Sequence, residues 1–185
     1  ILDTRTAMGP LYDVDMRLRQ QGNSGMLVAG FRGFAEYQKQ SAWTWEHQAL
    51  VRARVIAGDV ELARRCADLR QAVLVQPRDR EALAREVSEM REKMRTHLLS
   101  ARAETGGQFH LKQGVGGIVD IEFMVQYGVL AWSQKHPRLA HWTDNIRILE
   151  TLSSEGLMDA SRSEALKQAY IRYRSAAHQL ALQQR

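Results

Sequence analysis

The stretch WTWEHQALVRARVI, residues 43–56, predicts the fold more clearly than any other part of the chain. Trp45, Ala49 and Ile56 recur at helical spacing. Further apolar residues fall on other faces of the same helix; they are Leu50, Val51 and Val55. A helix that is apolar on most sides usually lies at the centre of a bundle. The stretch therefore predicts a helical bundle with this helix in its interior, ending at Gly58.

The sequence downstream continues in helical units. Asp59 is a predicted N-cap for a helix over about 60–75, and Pro77 breaks the chain after it. A long amphipathic helix follows, with an apolar stripe at Leu83, Val87, Met90, Met94 and Leu98. Another is marked by Ile118, Ile121, Val125, Val129 and Trp132. Thr143 is a predicted cap of a helix over about 144–156, and a capping box at Ser161 and Glu164 opens the last helix.

Residues 11–19 follow a different pattern, in which Tyr12, Val14, Met16 and Leu18 alternate with charged residues. A period of two predicts a strand with one buried and one charged face. A turn with two glycines follows, and Met26–Val28 is a predicted second strand that closes a hairpin. We therefore predict a mainly α fold: a short β-hairpin unit over 1–30, then a bundle of five to seven helices over 31–185.

Composition narrows the classes of protein. The chain is 44% hydrophobic and contains no apolar run long enough for a membrane helix, so no membrane partner is expected. Its only cysteine, Cys66, allows no internal disulfide, which favours a cytoplasmic protein. The net charge of +5 is compatible with nucleic acid, but the 26 basic residues are interleaved with 21 acidic ones. A solvated helical surface accounts better for this scatter than a nucleic-acid site.

The charged face of the first strand is the strongest candidate for chemistry. Asp13, Asp15, Arg17 and Arg19 point to one side because they are two residues apart. Carboxylates bind hard cations such as Mg²⁺, and arginines bind phosphate oxygens in a bidentate manner. The residues predict a nucleotide–metal face; the alternative is a solvent-facing strand with alternating charges.

A second candidate is the run KQGVGGIVDIEF, residues 112–123. Glycines before a helix place its N-terminus where an anion can bind, and Lys112 adds a positive charge. Asp120 and Glu122 lie about 200° apart on a helix, so they cannot share one metal ion. Glu122 is predicted to form a structural ion pair with Arg52 or Arg54.

The tryptophans Trp43 and Trp45 open the predicted central helix and are interpreted as core residues rather than as a platform for stacking bases. The six histidines show no metal-ligand spacing.

Three segments together resemble glutamine synthetase adenylyltransferases. Residues 11–25 resemble the DxRLRPxGxxG segment of that family, residues 45–54 its WExxALxRAR helix, and residues 112–123 its KxGxGGIxDIEF segment. The order and spacing of the three agree over nearly the whole chain. One departure is Gln20–Gln21, where the family has Pro-Ser after the second arginine.

The resemblance implies a polymerase-β-like nucleotidyltransferase domain followed by a helical bundle. Three carboxylates hold Mg²⁺ and the triphosphate of ATP in that fold, and Asp15 matches the third of them. Arg17 and Arg19 are then expected to act at the phosphates, with Gly22, Gly25 and Lys112 as further phosphate contacts. The first two carboxylates are expected upstream of Ile1, so the chain alone is predicted to be inactive.

The resemblance also implies partners. Members of this family transfer AMP to a tyrosine of glutamine synthetase, and residues 88–95 and 119–122 resemble the C-terminal, adenylylating half of the family. The helices are expected to present a surface to glutamine synthetase or to a PII-type signal protein. The alternative is a non-catalytic helical module that binds one of these two proteins.

Overall fold

The computed structural model describes residues 5–6, 9–10, 21, 25–26, 28–99 and 109–183. Over these residues the chain is mainly α, as the sequence predicts. The helices are α1 (Phe31–Gln40), α2 (Thr44–Val51), α3 (Val60–Leu74), α4 (Arg80–Leu99), α5 (Ile118–Trp132), α6 (Asn145–Ser154) and α7 (Ala160–Gln183). A 3₁₀ turn over Pro137–Ala140 joins α5 to α6.

Helix α5 lies at the centre of the bundle. It packs against α2, α4, α6, α7 and the 3₁₀ turn, and Val125 and Val129 are completely buried. Gly128 brings α6 close, because a Cβ atom at this position would lie 3.1 Å from a methyl carbon of Leu152. The core is therefore built around α5 from residues contributed by every helix from α2 to α7.

Helix α2 is central but shorter than the sequence predicts. It ends at Val51, whereas the apolar pattern predicts a helix that continues to Ile56. Ile56 is instead 82% exposed. The physical reason is Arg70 of α3, whose guanidinium group donates to the carbonyls of Leu50 and Val51 at 2.8 and 2.6 Å. These donors replace the amides of a further helical turn.

The predicted caps are partly wrong. Asp59 caps α3 as predicted, accepting from the Leu62 amide at 2.8 Å. For α6 the cap is Asp144 and not Thr143, since the Asp144 carboxylate accepts from the Arg147 amide at 3.0 Å. For α7 the carboxylate of Asp159 accepts from the amides of Ser161 and Arg162, so no Ser161–Glu164 capping box forms. In both cases an aspartate just before the helix takes the position, because its carboxylate reaches the first-turn amides.

The N-terminal region matches its prediction less well. The predicted strand over 11–19 lies outside the described residues. Met26 and Val28 belong to no strand and are 77% and 83% exposed, so the structure does not show the predicted second strand. A two-residue antiparallel pairing joins β1 (Arg5–Thr6) to β2 (Gly9–Pro10) instead. The division into units at residue 30 remains a prediction.

Within the part of the chain that the structure describes, none of the helices combines the length and the apolar character needed to span a bilayer.

Candidate functional site

The residues predicted to bind metal and phosphate fall on two segments. Those of the first segment lie outside the described residues and remain predictions; they are Asp13, Asp15, Arg17, Arg19 and Gly22. Gly25 is described and is partly buried in a bend. Lys112 lies in the turn before α5, with its side chain exposed. The described part of the candidate site is therefore the loop that carries Lys112.

We call residues 110–117 the glycine loop. Its turns are closed by backbone hydrogen bonds, the shortest from the Gly114 amide to the His110 carbonyl at 2.7 Å. A Cβ atom at Gly114 would lie 2.7 Å from the His110 carbonyl oxygen, and one at Gly117 would lie 2.7 Å from that of Leu111. Gly116 has a φ of +80°, a conformation that favours glycine. The glycines thus allow the chain to fold back tightly on itself.

The first amides of α5 are already bonded within the chain. The pairs are Gly117 N–H to Gly114 O (2.9 Å), Ile118 N–H to Leu111 O (2.9 Å) and Val119 N–H to Lys112 O (3.1 Å). The Gly116 amide donates to the Asp120 carboxylate at 2.7 Å. The helix N-terminus predicted to receive an anion is therefore occupied by the loop itself. Lys112 remains the group of this loop that extends into solvent with a positive charge.

Arg91 of α4 forms hydrogen bonds with both the glycine loop and the first turn of α5. It is only 6% exposed. Its Nε donates to Asp120 Oδ1 at 2.5 Å, and its Nη2 donates to the Gln113 carbonyl at 2.8 Å. Its Nη1 donates to the side-chain oxygen of Gln113 at 3.3 Å. One buried guanidinium group therefore holds both the loop and the first turn of α5.

We call Arg91, Gln113, Asp120 and the Gly116 amide the Arg91 cluster. Asp120 is its carboxylate, and the ionised form of Asp120 is favoured. Partial burial raises the pKa of Asp120, but hydrogen bonds from the Gly116 amide and Arg91, together with the charges of Arg91 and Arg95, outweigh burial and lower it. Arg95 lies farther away, with its Nη2 at 3.3 Å from Asp120 Oδ1. The carboxylate therefore remains charged near neutral pH and keeps the cluster closed.

A groove of about 490 Å³ lies beside this cluster, between α4 and α5. Its walls are apolar where Phe123, Met124 and Tyr127 line it. Its charges are balanced, since two guanidinium groups face two carboxylates; they are Arg91, Arg95, Glu92 and Asp120. An anion gains no net attraction from such a set, so the groove adds no second phosphate site.

The predicted ion pair of Glu122 is confirmed. Arg52 donates to Glu122 Oε1 at 2.6 Å, and the hydroxyl group of Tyr170 donates to the same oxygen at 3.1 Å. Burial and the nearby Glu122 charge raise the pKa of Tyr170. Asp120 and Glu122 thus lie on different faces of α5, as predicted. Asp120 is bonded to Arg91 of α4, whereas Glu122 is bonded to Arg52 at the end of α2 and to Tyr170 of α7.

A partly buried polar junction joins α1 to the start of α2. The Tyr37 hydroxyl donates to Glu46 Oε2 at 2.8 Å, and the same carboxylate accepts from the Trp43 amide at 2.9 Å. Tyr37 also accepts a hydrogen bond from the Gln21 backbone. Burial and the bond to Glu46 raise the pKa of Tyr37. Gln21, two positions after Arg19 in sequence, is thus hydrogen-bonded to α1.

The interpretation of the two tryptophans is half wrong. Trp45 is partly buried, but Trp43 precedes α2 as its N-cap and is 67% exposed. Among the described residues, no group of three or more His, Cys, Asp or Glu side chains lies close enough together to hold a metal ion.

Arg91 was not among the site residues predicted from the sequence. The signal was its position, because Leu83, Val87 and Arg91 are spaced four apart on one side of α4. An arginine that continues a buried apolar stripe requires a carboxylate partner from a neighbouring helix. Asp120 is that partner.

Two different family models match the two parts of the chain. A family model for glutamate-ammonia ligase adenylyltransferase matches residues 1–71, and a model for GlnD PII-uridylyltransferase matches residues 85–185. A bifunctional glutamine synthetase adenylyltransferase/adenylyl-removing enzyme of Pseudomonas putida is 53% identical over 192 residues, covering 99% of this chain and 20% of the relative.

Enzymes of the same description show the same relation in other bacteria. That of Shewanella loihica is 53% identical over 184 residues, covering 100% of this chain and 19% of the relative. That of Acinetobacter baylyi is 49% identical over 183 residues, covering 98% of this chain and 20% of the relative. Each of these relatives is therefore similar to both segments, 1–71 and 85–185, within a single chain. The present chain spans about a fifth of their length.

Proposed function

The chain belongs to the glutamate-ammonia ligase adenylyltransferase family, and from this membership we propose that it forms part of an enzyme that transfers AMP from ATP to a tyrosine of glutamine synthetase. The observation that carries the proposal is the 53% identity, over essentially the whole chain, to bifunctional glutamine synthetase adenylyltransferase/adenylyl-removing enzymes.

The residues proposed to act on ATP are those of the charged strand. The tyrosine hydroxyl of the acceptor attacks the α-phosphorus, the bond to the β-phosphate oxygen breaks, and pyrophosphate leaves as the hydroxyl loses its proton. Arg17 and Arg19 neutralise phosphate oxygens as bidentate donors. Lys112 adds a positive charge from the glycine loop. Catalysis by such groups is mainly positioning and electrostatic stabilisation.

Mg²⁺ fits the donor chemistry of this segment. Asp15 supplies a carboxylate oxygen, the ligand type that Mg²⁺ prefers. When bound, the ion supplies charge neutralisation at the phosphates. Asp15 is one carboxylate of the set that the family resemblance implies, and we propose that the other two lie upstream in the longer protein.

The Gln21–Tyr37–Glu46 junction supports a shared site. It bonds the chain shortly after Arg19 to the start of α2. Helix α2 in turn contacts α4 through Thr44, whose hydroxyl donates to Glu86. Arg91 holds the glycine loop five residues farther along α4, about 7.5 Å at 1.5 Å per residue. Gln21 and the Lys112 loop are therefore bonded to neighbouring parts of the helical bundle.

We assign the chain to the adenylylating half of the bifunctional family. Residues 119–122 read Val-Asp-Ile-Glu, whereas the other half tends to have Arg-Glu-Ile-Glu. The helical bundle is the proposed surface for glutamine synthetase, and a PII-type signal protein is a second proposed partner.

The test is incorporation of labelled AMP into purified glutamine synthetase. The present chain is compared with a form extended upstream through the missing carboxylates, and with Asp15→Asn in that form. The extended form should transfer label, while the present chain and Asp15→Asn should not. Asp13→Glu is the matched control: it changes the neighbouring carboxylate on the same predicted face and should remain active, because Asp15 and not Asp13 matches the third carboxylate of the family and glutamate keeps the charge.

Other outcomes separate the alternatives. Wild-type activity in Asp15→Asn would refute the assignment of Asp15. Transfer by the present chain alone would show that the catalytic residues have been misplaced. No transfer by either form would favour the non-catalytic module that binds glutamine synthetase or a PII-type protein.

A further inference from the structure

Arg91 is the most deeply buried cation beside the glycine loop, and each of its three guanidinium nitrogens donates a hydrogen bond. Two of the three bonds go to the two oxygens of a single residue, Gln113, which is itself only 5% exposed. The third goes to Asp120 in the first turn of α5. The planar fork of a guanidinium group allows this arrangement, and the single ammonium group of lysine does not.

Stability alone is a weak reason for such an arrangement. Replacing a buried ion pair by apolar residues of similar volume is often neutral or stabilising, whereas a satisfied pair fixes geometry. The geometry fixed here is that of Gln113, whose backbone and side chain are both fastened inward. The neighbouring Lys112 is exposed.

The Lys112 carbonyl is fixed as well, since it accepts from the Val119 amide at 3.1 Å. The backbone on both sides of the Lys112 side chain is thus held by α5 and, through Gln113, by Arg91. Because Gln113 is the next residue in sequence, displacement of Gln113 also moves the Cα atom of Lys112.

We propose that Arg91 is a positioning residue for nucleotidyl transfer, which holds the glycine loop so that the Lys112 ammonium group reaches the triphosphate. This inference rests on the proposed function. Arg91 touches no phosphate; it acts through Gln113 and Lys112. Its loss lowers productive binding of ATP and leaves recognition of the acceptor protein unchanged.

The test is a double-mutant cycle in the full-length enzyme, with Arg91→Met, Lys112→Ala and the double variant. A lost charge-assisted phosphate contact corresponds to about a tenfold fall in kcat/KM for ATP, which is the result expected for each single variant. The double variant should be within about twofold of Lys112→Ala, because Arg91 has no effect once the lysine is absent. KM for glutamine synthetase should not change.

Two further variants separate positioning from a general loosening of the bundle. Arg52→Met removes the ion pair with Glu122 on the opposite side of α5 without touching the glycine loop, and should leave KM for ATP unchanged. Arg91→Lys keeps the pair with Asp120 but not the fork to Gln113, and should fall between wild type and Arg91→Met. If Arg91→Met does not fold, the same cycle is run with Arg91→Lys.

Several results would overturn the proposal. If the losses in kcat/KM of the two single variants multiply in the double variant, Arg91 acts independently of Lys112. Full activity of Lys112→Ala would show that Lys112 does not contact the triphosphate, so Arg91 could not act through it. An equal rise in KM for ATP in Arg52→Met would indicate a general effect on α5. Failure of the unmutated full-length enzyme to label glutamine synthetase refutes the proposed function itself, so that failure is recognised separately from failure of the Arg91 proposal.

Discussion

At the scale of single residues, Arg70 contributes to the fold through hydrogen bonds rather than through a charge pair. Its guanidinium group donates to four backbone carbonyls, those of Leu50 (2.8 Å), Val51 (2.6 Å), Ala140 (2.5 Å) and Trp142 (2.9 Å). Burial lowers its pKa from the value of a free arginine. Arg70 of α3 thus joins the end of α2 to the segment between α5 and α6.

We expect Arg70→Met to lower the free energy of unfolding by about 3 kcal/mol, because it removes the guanidinium donors from four partly buried carbonyls. Urea denaturation followed by circular dichroism measures this. Arg70→Lys should recover part of the loss, since an ammonium group reaches fewer of the four oxygens. Arg64→Met is the matched control on an exposed face of α3 and should leave stability unchanged. A loss in Arg70→Met no larger than in Arg64→Met would contradict the structural role.

His47 is a buried neutral histidine in the junction between α1 and α2. Burial lowers its pKa below 6.5, and the charge of Arg78 lowers it further, while the Gln38 carbonyl and Glu46 act in the opposite direction. Its Nε2 lies 2.9 Å from the Gln38 carbonyl and its Nδ1 lies 3.1 Å from Arg78 Nη1. These partners select the tautomer with the proton on Nε2.

The lowered pKa fixes the sign of a pH effect. Below pH 6.5 the unfolded chain binds a proton that the folded chain does not, so the free energy of unfolding should fall as the pH decreases from 7 toward the folded-state pKa. In His47→Gln the free energy of unfolding should depend less steeply on pH, by an amount that approaches the uptake of one proton on unfolding. Urea titrations at several pH values test this. An identical slope in His47→Gln and in the wild type would show that His47 does not cause the pH effect.

At the scale of elements, the apolar spacing predicts where helices exist better than where they end. The α5 stripe from Ile118 to Trp132 coincides with the observed helix. The predicted end of α2 was wrong because the observed end depends on Arg70, which is distant in sequence. Apolar periodicity carries no information about a donor from another helix that replaces the last intrahelical bonds.

The start of α6 provides a direct test of the corrected cap. Asp144→Ala should lower the free energy of unfolding by about 1 kcal/mol, because the Arg147 amide loses its acceptor. Thr143→Ala should cost less, although the sequence pattern favours Thr143. Thermal or urea unfolding of the two variants measures the difference, and Asp144→Asn should retain most of the stability. A larger loss in Thr143→Ala would favour Thr143 as the cap after all.

At the scale of the whole molecule, the helical class and the Arg52–Glu122 pair were predictable from local patterns. The closed glycine loop was not, because the sequence shows which residues precede a helix but not which carbonyls turn back onto its first amides. The Arg91–Gln113 contact was missed for a similar reason, since Gln113 carries no charge to mark it. Contacts between elements were predictable from the sequence where opposite charges mark both partners, as in Arg52–Glu122, and not where backbone carbonyls or an uncharged side chain supply the partner.

Burial is unequal along the molecule, which predicts unequal local stability. Helix α5 is enclosed by four helices and the 3₁₀ turn, so its amides become exposed only when most of the bundle unfolds. Tyr170 of α7 is buried, but residues 178–183 of the same helix are all exposed. Hydrogen exchange should therefore be slowest in α5, intermediate near Tyr170 and fastest in the last two turns of α7.

The comparison within α7 is the informative one, because one continuous helix is its own control for intrinsic helix propensity. A gradient along α7 would mean that packing against α5 and α6 sets the local free energy of opening, as expected when helical stability comes mainly from tertiary contacts. Equal protection at Tyr170 and at residues 178–183 would contradict that account. Hydrogen exchange can then be repeated in a form of the chain that is extended upstream. A rise in protection that is confined to residues 178–183 would show that the added part of the protein packs against the C-terminal end of α7.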